Sequence, residues 1–74
     1  MIPGLKKLSI IIPAYNEECT IDELLKRVEA ATLRLPSMTS ISESEIIVVD
    51  DASSDGTAGV VKRHGSAVRY MRQD

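Results

Sequence analysis

The stretch at residues 46–57 reads IIVVDDASSDGT. Ile46 to Val49 are β-branched at every position, as suits a pleated, buried strand. The run stops at two adjacent carboxylates, Asp50 and Asp51, and a small polar turn from Ser53 to Thr57 follows. Ser54 or Asp55 is placed to cap a short helix over Gly56 to His64. Lys62, Arg63 and His64 fall in its last turn, where positive charge suits the helix dipole. Gly65 fits the left-handed position just past a helix. Val68 and Tyr70 then alternate with Arg69, so Ala67 to Arg72 reads as another strand. Strand, turn, helix, strand is the pattern of a parallel crossover unit.

Working upstream, the same pattern recurs. Leu8 to Ile12 is a short apolar run of the kind buried on both faces of a sheet, ended by Pro13, which cannot donate to a ladder. Thr20 and Glu23 have the spacing of a capping box. Ile21, Leu24, Leu25, Val28 and Ala31 recur at helical spacing, with Lys26, Arg27 and Glu29 largely off that stripe. Pro36 closes the helix, and PSMTSISES (36–44) reads as a polar linker. The order β-α-β-α-β predicts an α/β fold, a Rossmann-like half with a mainly parallel sheet and right-handed crossovers. In open sheets of this kind ligands bind at the carboxyl ends of the strands. PAYNEE (13–18) and DDASSDGT (50–57) both lie at such ends, so they belong on one edge of the sheet.

Composition narrows the function classes. The chain has 74 residues and a net charge of −2, from 9 basic and 11 acidic residues. That suits one small domain and, with no basic run, argues against a nucleic-acid partner. The single cysteine, Cys19, permits no internal disulfide, and the single histidine, His64, no zinc cluster. The start, MIPGLKK, lacks a signal-peptide pattern, and LSIIIPAY is too short to span a bilayer. The expectation is a cytoplasmic location, with a place at the cytoplasmic face of a membrane left open.

The two strand-end motifs invite several chemistries. Neither G-x-G-x-x-G nor G-x-x-x-x-G-K-[ST] is present, which argues against a dinucleotide or P-loop phosphate cradle. Asp51, Ser53, Asp55 and Gly56 open like a calcium loop, but the twelfth position is Lys62 where a bidentate glutamate is needed, and a strand precedes it instead of a helix. Successive strand residues point to opposite faces, so Asp50 and Asp51 do not form a metal clamp by themselves. One of them can aim into the crevice while the other serves the turn. An ionised carboxylate only accepts hydrogen bonds, which matches the imino N–H of uracil or guanine. A buried hydrogen bond of that kind contributes about 1.5–3 kcal/mol, enough to select a base. Glu17 and Glu18 suit the helix N-terminus that follows them, and Tyr15 offers a flat face for a base or sugar ring. A receiver-like α/β domain with a phosphoacceptor Asp50 or Asp51 is a further alternative, which gives PAYNEE no role.

IIPAYNEE (11–18), IIVVDDASSDGT (46–57) and VRYMRQD (68–74), with an amphipathic helix between the first two, resemble the family-2 glycosyltransferases of the GT-A fold. The resemblance lies nearest the dolichyl-phosphate mannose or glucose synthase-like branch and covers nearly the whole chain. It implies that residues 1–74 are the N-terminal, nucleotide-binding part of an incomplete GT-A domain. It implies contacts to a UDP- or GDP-sugar donor from Pro13, Tyr15 and Glu17, with Asp51 on the base and Val49 lining its pocket. It also implies transfer with inversion to an acceptor, a polyprenyl phosphate in that branch, assisted by Mg²⁺ or Mn²⁺ as a Lewis acid. The family's D-x-D metal motif does not occur in these residues, and the acceptor site and catalytic base are likewise expected downstream, so no catalytic residue is expected in this segment and the chain alone is expected to be inactive. The alternative is a non-catalytic nucleotide-binding or interaction fragment. In either case Leu8 to Ile12 would present an open sheet edge, to be met by the remainder of the catalytic domain or by self-association, with marginal stability until then.

Overall fold

The β-branched run at 46–49 is the middle of the central strand. In the computed structural model, which describes residues 6–74, β1 spans Lys6–Ala14, α1 Ile21–Met38, β2 Ile41–Asp51, α2 Thr57–Lys62 and β3 Val68–Gln73. A 3-10 turn over Gly65–Ala67 leads into β3. The sheet order is β1-β2-β3, and both pairings are parallel. The predicted α/β order and parallel sheet are therefore what the chain forms. The reading of the first residues as lacking a signal peptide falls partly on 1–5, outside the described residues.

Two successive crossovers that step the same way across the sheet carry both helices to one face. There Ile21 and Leu25 of α1 and Val60 and Val61 of α2 close over Ala14, Ile46, Val48 and Val68. Ile12, Val28 and Tyr70 pack around this core. The opposite face carries Ile11, Ile47, Val49 and Met71, and Ile11 is 63% exposed. The expectation that β1 is buried on both faces is corrected for this reason: no described helix covers the second face.

Several boundaries also move. β1 runs on through Pro13 to Ala14, because among the described residues β1 pairs only with β2, and an edge strand tolerates a missing N–H. The Thr20–Glu23 capping box does not form. Thr20 Oγ1 donates to Glu17 Oε2 at 3.0 Å, and Glu23 pairs with Arg27 at 3.1 Å. The Glu17 carbonyl takes the amides of Thr20 and Ile21, at 3.0 and 2.8 Å, so the Thr20 amide that the Glu23 carboxylate of a capping box would accept is already bonded. The buried side of α1 reads Ile21, Leu25, Val28, Thr32 and Leu35, whereas Leu24 and Ala31 are exposed.

Pro36 lies inside α1, in its last turn. The helix ends at Met38, where Thr39 donates to the Leu35 carbonyl from its amide at 2.9 Å and from its hydroxyl at 2.7 Å. The polar segment 41–45 is strand, not linker. Its side chains meet polar partners on β1, with Ser9 Oγ donating to Glu45 Oε1 and Ser42 Oγ to the Lys6 carbonyl. The second helix is shorter than expected, and His64 beyond it is bridged to α1, its Nε2 2.8 Å from Asp22 Oδ1 and its Nδ1 3.2 Å from Glu29 Oε2. Gly65 has φ +65°, the left-handed value expected of it.

Candidate functional site

The period of two along a strand settles how the adjacent acids divide. Asp50 is paired in register with Ala14 and Arg72, on the helix-covered face, and is 0% exposed. Asp51 stands on the open face beyond Val49 and is exposed. Val49 is half-buried and registers with Pro13 on one side and Met71 on the other. Pro13, Val49 and Asp51 thus share the open face at the carboxyl end of the sheet.

The two turns beyond these strand ends are bonded to each other. The Asn16 amide donates to Ser53 Oγ at 2.8 Å, and the Ser54 amide donates back to Asn16 Oδ1 at 2.9 Å. The Glu17 amide donates to Thr57 Oγ1 at 2.8 Å, and the Glu18 amide to Asp55 Oδ2 at 3.3 Å. Each turn contains one non-glycine residue in the left-handed region, Asn16 at φ +49° and Ala52 at φ +55°. Asparagine adopts that conformation readily, whereas alanine pays for it in Cβ crowding. Asp55 is the residue that caps α2: its Oδ1 accepts the Thr57 amide at 2.9 Å and the Thr57 hydroxyl at 2.5 Å. Ser54 takes no part in that cap: its hydroxyl oxygen accepts no amide among the described residues, and its own amide donates to Asn16.

Asp50 holds the second turn from beneath. Its Oδ1 accepts the Ser53 amide at 2.9 Å, and its Oδ2 accepts the Tyr70 hydroxyl at 2.5 Å. Arg72 lies 3.9 Å from Oδ2 and donates to the Ser53 carbonyl at 3.3 Å. Burial alone would raise the Asp50 pKa, but the hydrogen bonds from Ser53 and Tyr70 and the charge of Arg72 outweigh it and hold the carboxyl below its usual value. The hydrogen bond to Asp50 and, second, burial push the Tyr70 phenol above its usual value. With both oxygens engaged inside the fold, Asp50 is a structural anchor.

Of the five residues singled out in the sequence, Pro13, Val49 and Asp51 are brought together on adjacent strands. Tyr15 and Glu17 sit in the turn just beyond. Tyr15 is 60% exposed, which leaves its ring free to stack. Glu17 is exposed but partly engaged, since Oε2 accepts from Thr20. Asp51 has no hydrogen-bond or ion-pair partner among the described residues, so its carboxylate is available to an outside donor. Sequence reasoning placed Asn16, Ser53 and Thr57 at this end, within the two motifs, without giving them a task, and it missed Tyr70 and Arg72. Asn16 carried a usable signal, because an asparagine in a tight turn favours the left-handed conformation. Among the described residues no three His, Cys, Asp or Glu side chains are grouped so as to hold a metal ion. Asp50 and Asp55 are occupied by the fold and Asp51 faces away from both pairings, so these residues do not fit a divalent-metal site.

Glycosyl transferase family 2 matches residues 9–74 of this chain. The undecaprenyl-phosphate 4-deoxy-4-formamido-L-arabinose transferase of Klebsiella pneumoniae is 38% identical over 65 residues, covering 88% of this chain and 18% of the relative. The protein of the same name from Pseudomonas aeruginosa is 45% identical over 65 residues, covering 82% and 18%. That of Pseudomonas fluorescens is 46% identical over 55 residues, covering 74% and 15%. The chain thus spans less than a fifth of the length of these relatives. No solved structure matches it. The matched region contains both strand-end turns and the strands that carry them, and the chain belongs to glycosyl transferase family 2.

Proposed function

We propose that the chain is the donor-binding part of a glycosyltransferase that takes a UDP- or GDP-sugar and passes its glycosyl group to a polyprenyl phosphate. The observation that carries this proposal is the arrangement at the carboxyl end of the sheet. A carboxylate with no partner among the described residues, Asp51, shares an open face with Pro13 and Val49, and the turn bearing Tyr15 and Glu17 is bonded to the turn that follows Asp51. Asp51 accepts the imino N–H of the base, Val49 and Pro13 flank the base, and Tyr15 and Glu17 contact the rest of the nucleotide. The lipid-linked acceptor follows the names of the relatives and calls for a membrane surface; the cytoplasmic face is part of this proposal. Among the described residues no helix is long and apolar enough to cross one. Turnover is not assigned to these 74 residues. Mg²⁺ or Mn²⁺ belongs to the complete enzyme, with ligands from outside this chain. The open edge of β1 is assigned to a further strand of the catalytic domain or, in the isolated chain, to a second copy.

Titration of a folded, ¹⁵N-labelled sample with UDP and with GDP tests the site. One of the two should shift the Tyr15 and Asp51 amides, and Asp51→Asn should weaken binding about tenfold, the effect of losing a hydrogen bond to a charged acceptor. Unmoved Tyr15 and Asp51 resonances at millimolar concentrations of both nucleotides would sink the proposal.

A further inference from the structure

We infer that Ser53 and Asn16 are positioning residues of this donor site: their reciprocal bonds fix the turn bearing Tyr15 and Glu17 relative to Asp51. The inference rests on the donor-site proposal above and adds two residues to it. Ser53 is nearly fully buried, and each of its polar groups has a task. Its amide is held by Asp50 at 2.9 Å, its carbonyl by Arg72 at 3.3 Å, and its hydroxyl accepts the Asn16 amide at 2.8 Å. The serine is therefore clamped from β2 and β3 before it reaches across to the turn after β1. Asn16 completes the ring by accepting the Ser54 amide at 2.9 Å.

The geometry makes this pair more than a local staple. Asn16 lies between Tyr15 and Glu17, and Ser53 lies two residues beyond Asp51. The bonds above use the Ser53 hydroxyl oxygen and the Asn16 side-chain oxygen within the fold, whereas Asn16 Nδ2 has no partner among the described residues. Each turn also carries one left-handed residue, Asn16 in the first and Ala52, next to Ser53, in the second. Without the ring, the turns would be joined through the Glu17–Thr57 and Glu18–Asp55 bonds, and the segment carrying Tyr15 would be freer to relax about its strand end. The two halves of a nucleotide site, base and remainder, would then lose their fixed separation. Preorganisation of this kind is what lets a small site hold a ligand without ordering cost at binding.

The test uses the 74-residue chain with UDP and GDP as probes, and compares Ser53→Ala, Ser53→Thr and Asn16→Gly with the parent. Glycine keeps the left-handed backbone of residue 16 and removes its carboxamide, both the bonded oxygen and the unbonded Nδ2, so Ser53→Ala, which leaves Nδ2 in place, is the variant that reads positioning alone. Ser53→Ala and Asn16→Gly should each weaken nucleotide binding about five- to tenfold, the effect of one lost hydrogen bond. The Leu25 and Val48 amide shifts should stay in place, showing an intact core. Amide exchange should quicken at Asn16 in Ser53→Ala and at Ser54 in Asn16→Gly. Ser53→Thr, which keeps the hydroxyl, should restore binding to within about twofold of the parent, on the same one-bond reasoning. Parent-like affinity in both truncations, with Asp51→Asn still weakening binding, overturns the positioning role alone. Loss of the core shifts together with binding also overturns it, because the residues are then merely structural. Failure of the parent to bind either nucleotide overturns the donor-site proposal, and this inference with it.

Discussion

The two ends of the sheet are held together in different ways. At the carboxyl end, side chains from one turn satisfy backbone amides of the other, through bonds that span 37 to 40 residues of sequence, and the buried Asp50 carboxylate holds the Ser53 amide beneath them. At the amino end, β1 and β2 meet through exposed side chains, Ser9 with Glu45 and Lys7 with Glu45. Backbone donors held by buried acceptors have one favourable arrangement, whereas exposed side-chain pairs can exchange with water at little cost. Rigid geometry is therefore concentrated where the two family motifs meet. The hardest way to break this contrast is Asp50→Ala, which leaves the Ser53 amide and the Tyr70 hydroxyl without their acceptor. It should cost about 3 kcal/mol in chemical denaturation, a large share of what a domain of this size possesses. A loss of less than about 1 kcal/mol would mean that the buried anchor matters no more than a surface pair.

The same anchor predicts a pH window. Asp50 has a folded pKa below its ordinary 3.8, so its contribution is present above that value and disappears as pH falls through the lowered folded pKa. Tyr70 has a folded pKa above its ordinary 10.0, so its contribution is present below that value and is lost as pH rises through the raised one. Thermal midpoints measured from acid to alkali should therefore fall on both sides of a plateau. Tyr70→Phe should remove the alkaline fall that comes from this pair. An unchanged alkaline limb in that variant would disconnect Tyr70 from Asp50.

Within the carboxyl end, the two left-handed residues offer a finer comparison. Asn16 uses its side chain to hold the opposite turn, while Ala52 has no polar side chain to offer. Relief of Cβ crowding should make Ala52→Gly more stable by about 0.5–1 kcal/mol, after the greater freedom of glycine in the unfolded chain is set against it. Denaturant midpoints decide this, and a destabilised Ala52→Gly would show that the left-handed backbone there is not strained.

How much of this could be read beforehand also differs between the ends. The β-branched run at 46–49, the Ile21, Leu25 and Val28 part of the helical stripe and the period-two split of Asp50 from Asp51 are properties of local pattern, and the fold honours them. The segment 41–45 hid its strand because its Ser and Glu side chains face polar partners on β1, not a core. Thr20 and Glu23 spelled a capping box, but the Glu17 carbonyl takes the Thr20 amide in place of the Glu23 carboxylate. Asn16 and Ser53 are 37 residues apart, and nothing local marks either as the other's partner. Asp50 could be separated from Asp51 by alternation, but its task depends on Tyr70, which joins it only when β3 pairs with β2. Local periodicity was legible; polar contacts between distant turns required the assembled sheet.

The amino end supplies the smallest effect and the control for all the others. A hydrogen bond from Ser9 holds the Glu45 carboxyl below its usual value against a modest desolvation, with help from the charges of Lys7 and Arg69. Water and salt can replace those partners, because the pair lies at the surface. Glu45→Gln should therefore leave the denaturation midpoint where it was and leave the amide shifts of Asn16, Ser53 and Ser54 unmoved. It should also remove any salt dependence that the Lys7–Glu45 contact gives the parent. If Glu45→Gln moved the midpoint as far as Ala52→Gly, the two ends would not differ in kind. The rigidity assigned to the turns would then be a property of the whole sheet.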